Sequence, residues 1–238
     1  MEQRTLEWYR ARLGHITSSM VGLLMGAPTK KAQSTGEVFS ETAKGYLYQL
    51  AAERNLSDLF RNDDTKFSEW LDRTNVESHA MRYGADTEDL ARLAYSLVMP
   101  SDERLEEAGF VPHFNPELQY GDSPDGLVFP VGSNVPSGVI EIKCPNPATW
   151  MKYYDLFRQG KSLKEIEDKY YWQCQSHMLV NDVSWCDFIF YDKMQNNPLR
   201  VIRIDRCNDD CDIIIERVKQ ANDFINNIIN SFPDAQES

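Results

Sequence analysis

The sequence lacks long apolar runs. No stretch approaches the roughly 20 residues that a membrane helix requires, and the first residues, Met-Glu-Gln-Arg-Thr, do not form the apolar segment of a secretory signal. Runs rich in Gly and Ser or in Pro, which would mark a linker between domains, are also absent. We therefore expect a cytoplasmic protein without membrane partners, folded as a single domain over residues 1–238, whose 42% hydrophobic content can build one substantial core.

The cysteines show no pairing pattern. Their number, five, is odd, and no two of them have the spacing of a Cys-x-x-Cys motif. This usage is typical of free thiols in a reducing compartment and disfavours a disulfide framework. We expect most of them to pack in the core. The cysteines are Cys144, Cys174, Cys186, Cys207 and Cys211.

Positive charge is scarce, since the formal net charge is −12. That sign opposes binding to the phosphates of a nucleic acid. Charge is unevenly distributed, however, with acids crowded at residues 58–72, 102–107 and 205–216. This pattern predicts a basic channel with an acidic exterior, and the alternative is an acidic surface that only keeps the protein soluble. The N-terminal basic residues are Arg4, Arg10, Arg12, Lys30 and Lys31, against Glu2 and Glu7.

Two short motifs carry the chemistry. Residues 123–126 read Ser-Pro-Asp-Gly, and fifteen residues later residues 141–143 read Glu-Ile-Lys. Side chains alternate between the two faces of a strand, so Glu141 and Lys143 share one face and Ile142 points to the other, into a core. The composition predicts a turn at residues 121–126, a strand at 127–131 and a loop at 130–137. A β-hairpin would then bring Asp125 beside Glu141.

Two carboxylates and an ammonium group that converge suit a metal-dependent phosphodiesterase. Hard oxygen ligands favour Mg²⁺ or Mn²⁺, whose bound water becomes a nucleophile and whose charge offsets that developing on a phosphate. Lys143 would orient that water or help to deprotonate it. The alternative is that Pro-Asp-Gly is an ordinary turn and Glu-x-Lys a solvated face. A charged pair on a strand that also carries Val139, Ile140 and Ile142 needs a reason, which favours a DNA-cutting enzyme.

The order of predicted elements indicates an α/β fold, with a helical N-terminal region, a central mixed sheet flanked by helices and a long C-terminal helix. Thr5 and Ser40 are expected N-caps. Within the helix at 87–98, Leu90, Leu93 and Leu97 are expected to form the buried stripe. Helices are predicted at 6–12, from 17–19 through 25, and at 41–54, 67–83, 87–98, 163–180 and 209–231, and strands at 109–112, 127–131, 139–143, 183–191 and 199–205.

Five blocks of sequence resemble the successive motifs of the lambda-exonuclease family, which comprises YqaJ-type viral recombinases. The PD-(D/E)xK core, here within 123–127 and 141–145, is shared by many nucleases. The early Arg-x-Gly-x-Ile-Thr-x-Ser block and the late Gln-x-Gln block are much narrower signals. In family order, the blocks are residues 12–19, 84–88, 123–127, 141–145 and 170–175.

The resemblance implies a restriction-endonuclease-like PD-(D/E)xK fold and a Mg²⁺-dependent exonuclease, with Mn²⁺ expected to substitute. Such an enzyme digests one strand of linear double-stranded DNA from 5′ to 3′, releases mononucleotides and leaves a 3′ single strand for a single-strand annealing protein. It also implies a homotrimeric ring around the DNA, in the cytoplasm of a bacterial host if the gene is carried by a phage.

The resemblance also assigns roles to further residues. Glu88 would join Asp125, Glu141 and the backbone carbonyl of Ile142 as a ligand of one or two metal ions, although a Glu in the first turn of a helix also interacts favourably with the helix dipole. Gln173, rather than Gln175, would orient Lys143 or the attacking water. Three residues would hold the 5′-phosphate of the DNA end: Arg12, Ser19 and Ser123.

Each of these roles has a plainer alternative. Ser18 and Ser19 can be ordinary helix caps, and His177, on the helical face of Gln173 and Tyr170, is either structural or a DNA contact. One position departs from the pattern, because some relatives have a carboxylate where this chain has Asn115, with Glu117 nearby. We leave the role of that pair open. The aromatic residues Trp8, Tyr9 and Trp150 are expected in the core or at an interface.

Three other functions compete with the exonuclease. One is a different PD-(D/E)xK nuclease, such as a sequence-specific endonuclease, and another is a catalytically inactive relative that binds DNA or a partner. The intact set of Asp125, Glu141 and Lys143 disfavours the inactive relative. The third is an iron–sulfur nuclease, which is disfavoured because such enzymes need an early cysteine and none precedes Cys144.

Overall fold

A computed structural model describes residues 2–34, 36–74 and 79–232, with side chains described outside 79–86. The strands are β1 (Ile16–Thr17), β2 (Glu103–Glu106), β3 (Val111–Pro112), β4 (Tyr120–Asp122), β5 (Gly126–Pro130), β6 (Gly138–Lys143), β7 (Trp185–Tyr191) and β8 (Leu199–Asp205). The helices are α1 (Leu6–Arg12), α2 (Ser18–Met25), α3 (Lys30–Ser34), α4 (Glu41–Arg54), α5 (Asp58–Asn62), α6 (Asp64–Thr74), α7 (His79–Ser96), α8 (Pro147–Arg158), α9 (Leu163–Ile166), α10 (Asp168–Asn181) and α11 (Asn208–Asn230), with a 3₁₀ turn at Pro116–Leu118.

The larger sheet has five strands in the order β2-β5-β6-β7-β8. Strands β5 and β6 form the predicted hairpin, since they pair antiparallel with Gly126 opposite Ile140. Strands β6 and β7 are parallel, with Ile140 opposite Asp187. A parallel pair needs a crossover connection, and α8, α9 and α10 supply it. The sheet is therefore mixed, as predicted, and it carries the Glu-x-Lys motif on a central strand.

A smaller sheet, in the order β1-β4-β3, joins the N-terminal region to the central part of the chain. Ile16 of β1 lies opposite Tyr120 of β4 in a parallel pair. The segment at 121–126 was predicted as a turn, and this is wrong for its first two residues, which belong to β4. Gly121 is required there because a Cβ atom would lie 2.3 Å from the ring of Phe110.

Helices α1 and α4 begin directly after their predicted N-cap residues. The side chain of Thr5 accepts a hydrogen bond from the backbone N–H of Trp8 at the start of α1, and Ser40 caps α4 through the N–H of Ala43. At the other end of the chain, α11 buries the predicted stripe against α2 and α4. The residues of that stripe are Ile214, Val218, Ala221 and Ile225, with Ile228 packed beside them.

The predicted stripe of α7 is wrong. Leu90, Leu93 and Leu97 are exposed, and Ala91 and Tyr95 pack against the large sheet instead. Their partners in this buried cluster are Val128 of β5, Ile140 and Ile142 of β6, and Ile189 and Tyr191 of β7. Part of the helix predicted at 67–83 lies outside the described residues, and its first part belongs to α6.

Several elements escaped prediction. The helix predicted at 163–180 is two helices, because Glu167 adopts an extended backbone between α9 and α10. Strand β2 was missed since it is a charged edge strand, Glu-Arg-Leu-Glu, whose pairing with β5 the local pattern does not show. The predicted strand at 109–112 forms only at Val111–Pro112. Helices α3, α5 and α8 were also missed. None of the helices in the described residues is long and apolar enough to cross a membrane.

Candidate active site

The hairpin brings the three predicted core residues together. Asp125 immediately precedes β5, and its Oδ2 accepts a hydrogen bond from the backbone N–H of Ile142 on β6 at 2.6 Å. Glu141 and Lys143 share one face of β6 and form an ion pair. The Glu141 side chain is 2% exposed and that of Lys143 is 27% exposed, so Lys143 is the member of the pair that is open to solvent. The prediction that Asp125 lies beside Glu141 is confirmed.

The carboxylates of this cluster influence one another strongly. Burial, together with the charges of Glu141 and Glu88, raises the pKa of Asp125 well above its usual range. Burial alone would raise the pKa of Glu141 too, but Lys143 and His177 outweigh it and lower that pKa to about 2. Burial would lower the pKa of Lys143, and the charges of Glu141 and Asp125 raise it instead. Lys143 is therefore an ammonium group at neutral pH.

Glu88 reaches the same cluster from α7. Its two oxygens accept hydrogen bonds from Arg92 and from Arg4, both at 2.8 Å. Arg92 also donates to the backbone carbonyl of Asp125 at 3.0 Å. Glu88 is thus close enough to act on the charge of Asp125, and two guanidinium groups neutralise it. Sequence reasoning missed both arginines, because neither belongs to any of the five motif blocks.

Behind Glu141 lies a buried network that the motifs did not show. His177 of α10 bonds to Glu141 Oε2 through Nε2 at 2.9 Å and to Asp122 Oδ1 through Nδ1 at 2.7 Å. His177 is 1% exposed, so the alternative that it contacts DNA is wrong and the structural alternative is confirmed. Asp122 was missed because it was assigned to a turn. The available signal was the helical spacing of His177 from Gln173.

Gln173 lies one turn before His177 on α10 and is buried. No partner for its amide is found among the described residues. Gln175 is occupied elsewhere, since it donates to the carbonyl of Asp205 and accepts from the N–H of Cys207. Tyr170, on the face of Gln173, places its ring 5.1 Å from Lys143 Nζ. The helix therefore presents one uncommitted amide on the face that carries Tyr170 and His177.

Trp8 links two of the three predicted phosphate-binding residues. Its indole N–H donates to Ser123 Oγ at 3.1 Å, and the guanidinium of Arg12 lies 4.1 Å from the centre of its ring. Sequence reasoning left Trp8 out of the site. Burial lowers the pKa of Arg12, and no carboxylate within the described ranges pairs with it. This cation is therefore available to an anion.

The serines at the start of α2 have different surroundings. Ser19 is exposed, and its hydroxyl lies 3.2 Å from that of Thr17. Ser18 is buried and accepts a hydrogen bond from Ser176 at 2.8 Å. Neither hydroxyl caps α2, since Thr17 occupies the N-cap position and makes no capping bond with its side chain. Ser19 can face a ligand, whereas Ser18 joins α2 to α10.

Asn115, which stands where some relatives have a carboxylate, has a local structural role. Its side chain accepts a hydrogen bond from the N–H of Glu117 at 3.1 Å and caps the 3₁₀ turn. Its own N–H donates to His113. Glu117 is exposed at the surface. Asn115 is thus engaged in its own turn.

The predicted basic channel is partly neutralised at its N-terminal end. Arg10 pairs with Asp64 and Arg4 with Glu88. Lys30 and Lys31 are exposed. Carboxylates thus offset the charges of Arg4 and Arg10, and Arg12 differs from them in this respect.

The donor set suits a hard divalent cation in its chemistry. Asp125, Glu141 and Glu88 offer oxygen ligands, which Mg²⁺ and Mn²⁺ prefer. The raised pKa of Asp125 reflects burial first and then repulsion from Glu141 and Glu88, and a cation between the carboxylates would relieve that repulsion. The side chains are not arranged as a finished site, because no group of three or more His, Cys, Asp or Glu in the described residues has a geometry ready to hold a metal.

Comparison with known proteins shows the family of this chain. A family model described as the YqaJ-like viral recombinase domain matches residues 7–184. Among solved structures, the chain is similar to an alkaline exonuclease (LHK-Exo) from Laribacter hongkongensis, with 27% identity, a TM-score of 0.69 and 95% of each chain covered. LHK-Exo in complex with dAMP gives 28% identity, with the same TM-score and coverage.

A phage related exonuclease from Haemophilus somnus 129PT is 16% identical, with a TM-score of 0.59, and the match covers 91% of this chain and 95% of that one. That likeness is one of fold. Together these neighbours confirm the predicted α/β fold of the restriction-endonuclease-like class. A search of curated proteins gave no match.

Proposed function

Because this chain belongs to the family of the YqaJ-like viral recombinase domain, we propose that it is a Mg²⁺-dependent exonuclease that digests one strand of linear double-stranded DNA from 5′ to 3′. The family and the alkaline exonucleases that resemble the chain support a role as a DNA exonuclease. The products are mononucleotides and a 3′ overhang, which is the substrate of a single-strand annealing protein. LHK-Exo forms a complex with dAMP, which is a molecule of that product class.

The observation that carries the proposal is the hairpin that sets Asp125 beside Glu141 and Lys143. Asp125, Glu141, Glu88 and the backbone carbonyl of Ile142 would hold one or two cations, Mn²⁺ substituting for Mg²⁺. A bound cation lowers the pKa of its water and offsets charge on the phosphate. Each oxygen of Glu88 accepts one hydrogen bond, from Arg4 or from Arg92, and keeps a second lone pair for a cation.

Lys143 and Gln173 act on the attacking water. Lys143 orients the water or helps to deprotonate it, and its ammonium group can donate hydrogen bonds to the phosphate. The amide of Gln173, which has no partner within the described part of the chain, can accept a hydrogen bond from the same water through its oxygen. The two side chains together would fix the direction of attack on the phosphorus.

Arg12, Ser19 and Ser123 form the proposed pocket for the 5′-phosphate. A guanidinium group without a carboxylate partner and two hydroxyl groups suit a phosphate monoester. Trp8 supports the pocket by fixing Ser123 and stacking under Arg12. Recognition of the terminal phosphate gives the enzyme its direction, because only the 5′ end of a strand carries that group next to the scissile bond.

A homotrimeric ring around the DNA is proposed from the family resemblance alone. Such an assembly would enclose the duplex and keep the enzyme on it between cleavage steps. Its test is the mass of the protein in solution, measured by light scattering. A monomer that degrades DNA processively would contradict the ring.

Linear duplexes with and without a 5′-phosphate test the proposed function directly. We expect loss of 5′-terminal nucleotides with Mg²⁺, faster for the phosphorylated end, and no loss in EDTA. Glu141→Gln should abolish digestion while the protein stays folded. Closed circular plasmid separates this activity from that of an endonuclease, because an exonuclease spares it. Digestion in EDTA, or loss from the 3′ end first, would contradict the proposal.

A further inference from the structure

The imidazole of His177 lies between two buried carboxylates, and no motif of the site accounts for it. Asp122 is fully buried, Glu141 is 2% exposed and His177 is 1% exposed. Each ring nitrogen has a carboxylate oxygen within hydrogen-bond distance. The Glu141 carboxylate accepts a hydrogen bond from Nε2, and Nδ1 lies within hydrogen-bond distance of Asp122, so both ring nitrogens are engaged. The burial of an imidazole between two carboxyl groups calls for a function or for a strong structural reason.

We propose that His177, held by Asp122, is a positioning residue that fixes the orientation of the Glu141 carboxylate for binding of a divalent cation. This role rests on the proposed function, since Glu141 is there a metal ligand. It adds a residue that touches neither DNA nor the cation. His177 acts only through the oxygen of Glu141 that faces away from Lys143.

The geometry divides the two oxygens of Glu141 between two partners. Oε2 accepts from His177 Nε2 at 2.9 Å, and Oε1 faces Lys143. Because Glu has three side-chain torsions, the strand alone does not determine where Oε1 points. A donor fixed behind Oε2 removes that freedom, and it leaves Oε1 directed to the side of the hairpin that carries Lys143.

His177 is itself held firmly. Asn181, one turn later on α10, donates to the other oxygen of Asp122 at 2.6 Å and to the backbone carbonyl of His177 at 2.9 Å. Asp122 belongs to β4 and Glu141 to β6, so the ring of His177 joins the two sheets through α10. Partners that orient a metal ligand in this way typically alter metal affinity or activity by about 10- to 100-fold when they are removed.

The test compares two substitutions at position 177 by titration of the DNA-free protein with Mn²⁺ in a calorimeter. His177→Gln carries an amide N–H at about the place of Nε2 and keeps a donor for Glu141. His177→Asn carries its amide near the place of Nδ1 and reaches Asp122 only. We expect His177→Gln to retain Mn²⁺ affinity within a few-fold, and His177→Asn to lose about 10- to 100-fold.

A purely structural role predicts a different result. Both variants lose the ring that bridges the two carboxyl groups, so both lose stability, and Mn²⁺ affinity would then follow the melting temperature in each. Equal affinities in the two variants and the wild type would overturn the proposal. As a matched control, His113→Ala removes another buried imidazole that makes no bond to Glu141, and it should lower the melting temperature without changing Mn²⁺ affinity.

A measurement on the wild-type protein covers the case in which His177→Asn does not fold. Addition of Mg²⁺ should shift the NMR resonance of His177 Nε2, because the cation changes the charge on the carboxylate that this nitrogen contacts. The resonances of His113 should not move. An unmoved His177 signal in protein that binds Mg²⁺ would overturn the role of His177 alone. Wild-type protein that binds no divalent cation would instead overturn the proposed function.

Discussion

The carboxylate of Asp125 accepts a hydrogen bond from the backbone N–H of Ile142 at 2.6 Å, across the hairpin that the two motifs form. This contact ties the turn before β5 to the strand that carries Glu141 and Lys143. It also holds Asp125 close to Glu141 and Glu88, whose charges raise its pKa. The folded chain therefore carries an electrostatic strain that a cation would relieve.

Substitution Asp125→Asn should stabilise the cation-free protein and abolish its activity. A group whose pKa is raised on folding contributes stability only at low pH, and that contribution is lost as the pH rises through the folded pKa. Asparagine keeps the acceptor for Ile142 and removes the charge, so we expect the melting temperature in EDTA at pH 7.5 to rise by about 2 °C or more.

The same thermal measurement reports cation binding. Mg²⁺ should raise the melting temperature of the wild-type protein and not that of Asp125→Asn, since ligands stabilise the state that binds them. Asp155→Asn, at an exposed ion pair with Arg158 on α8, is the control and should behave like the wild type. A less stable Asp125→Asn protein that still responds to Mg²⁺ would contradict this account of the site.

Substitution Glu141→Gln should change how the free energy of unfolding depends on pH. The pKa of Glu141 is lowered on folding to about 2, from a usual value of 4.5. Its ionised form therefore contributes stability that is present above about pH 4.5 and lost as the pH falls toward 2. The stability gap between wild type and Glu141→Gln should be on the order of 3 kcal/mol at pH 6 and narrow steadily below pH 4.5.

Urea unfolding in EDTA, repeated at several pH values, measures that gap. Glu69→Gln replaces an exposed carboxylate and should show almost no gap at any pH. A gap for Glu141→Gln that stays constant down to pH 3 would mean that Glu141 is not held in its ionised form by Lys143 and His177.

Substitution Trp8→Phe should weaken the preference for a phosphorylated 5′ end. Phenylalanine lacks the N–H that fixes Ser123, and a hydrogen bond of this kind contributes about 0.5–1.5 kcal/mol, or roughly a two- to tenfold effect. We expect KM for 5′-phosphorylated duplex to rise by that factor, with kcat and the rate on unphosphorylated ends little changed. Initial rates on the two substrates give both constants.

Trp150→Phe is the matched control for this measurement. Trp150 is also buried, donates through its indole N–H to the carbonyl of Pro198, and has Arg200 over its ring. It belongs to α8, however, and packs in the core between that helix and the large sheet. The variant should lose stability without a change in the preference for phosphate. Equal losses of preference in the two variants would remove Trp8 from the phosphate pocket.

The thiol of Cys144 should be almost inert at neutral pH. Burial and the charges of Glu88 and Asp125 raise its pKa from 9.0 to about 12. The thiolate is the reactive form, so alkylation at pH 8 should be about a thousandfold slower than for an unperturbed thiol, and it should quicken about tenfold for each unit of pH up to 11. Mass spectrometry of the modified peptide after treatment with iodoacetamide measures the rate.

N-acetylcysteine is the reference thiol for this rate, and Asp125→Asn provides an internal comparison. Loss of one negative charge should lower the pKa of Cys144 and speed alkylation. Because Cys144 is partly exposed, access alone does not protect it. Alkylation of the wild-type thiol at the rate of N-acetylcysteine would contradict the electrostatic picture of the cluster.

Local patterns in the sequence predicted the hairpin, the mixed sheet and the buried stripe of α11. In each case a short-range rule was enough, such as alternation along a strand or the spacing of apolar residues in a long helix. The same rule failed for α7, where Leu90, Leu93 and Leu97 are exposed. Which face of a helix is buried depends on the room left by its neighbours, and the sheet under α7 accepts Ala91 and Tyr95 instead.

The parts of the site that sequence reasoning missed are formed by residues that lie far apart in the chain. Trp8 meets Ser123 across 115 positions, and Arg4 meets Glu88 across 84 positions. No spacing rule connects such pairs. The sequence therefore indicated which residues could do the chemistry, whereas the residues that support them appeared only when the chain was folded.

The amino-acid sequence by itself determined the chemistry of this protein, because alternation along β6 places Glu141 and Lys143 on one face and the turn at Asp125 completes the set. Only the tertiary structure decided which residues support Asp125, Glu141 and Lys143. His177 and Asp122 are 55 positions apart, and they meet behind Glu141 because α10 packs against both sheets. A buried charge is tolerated only where the fold supplies its partner, and that requirement is met in space and not along the chain.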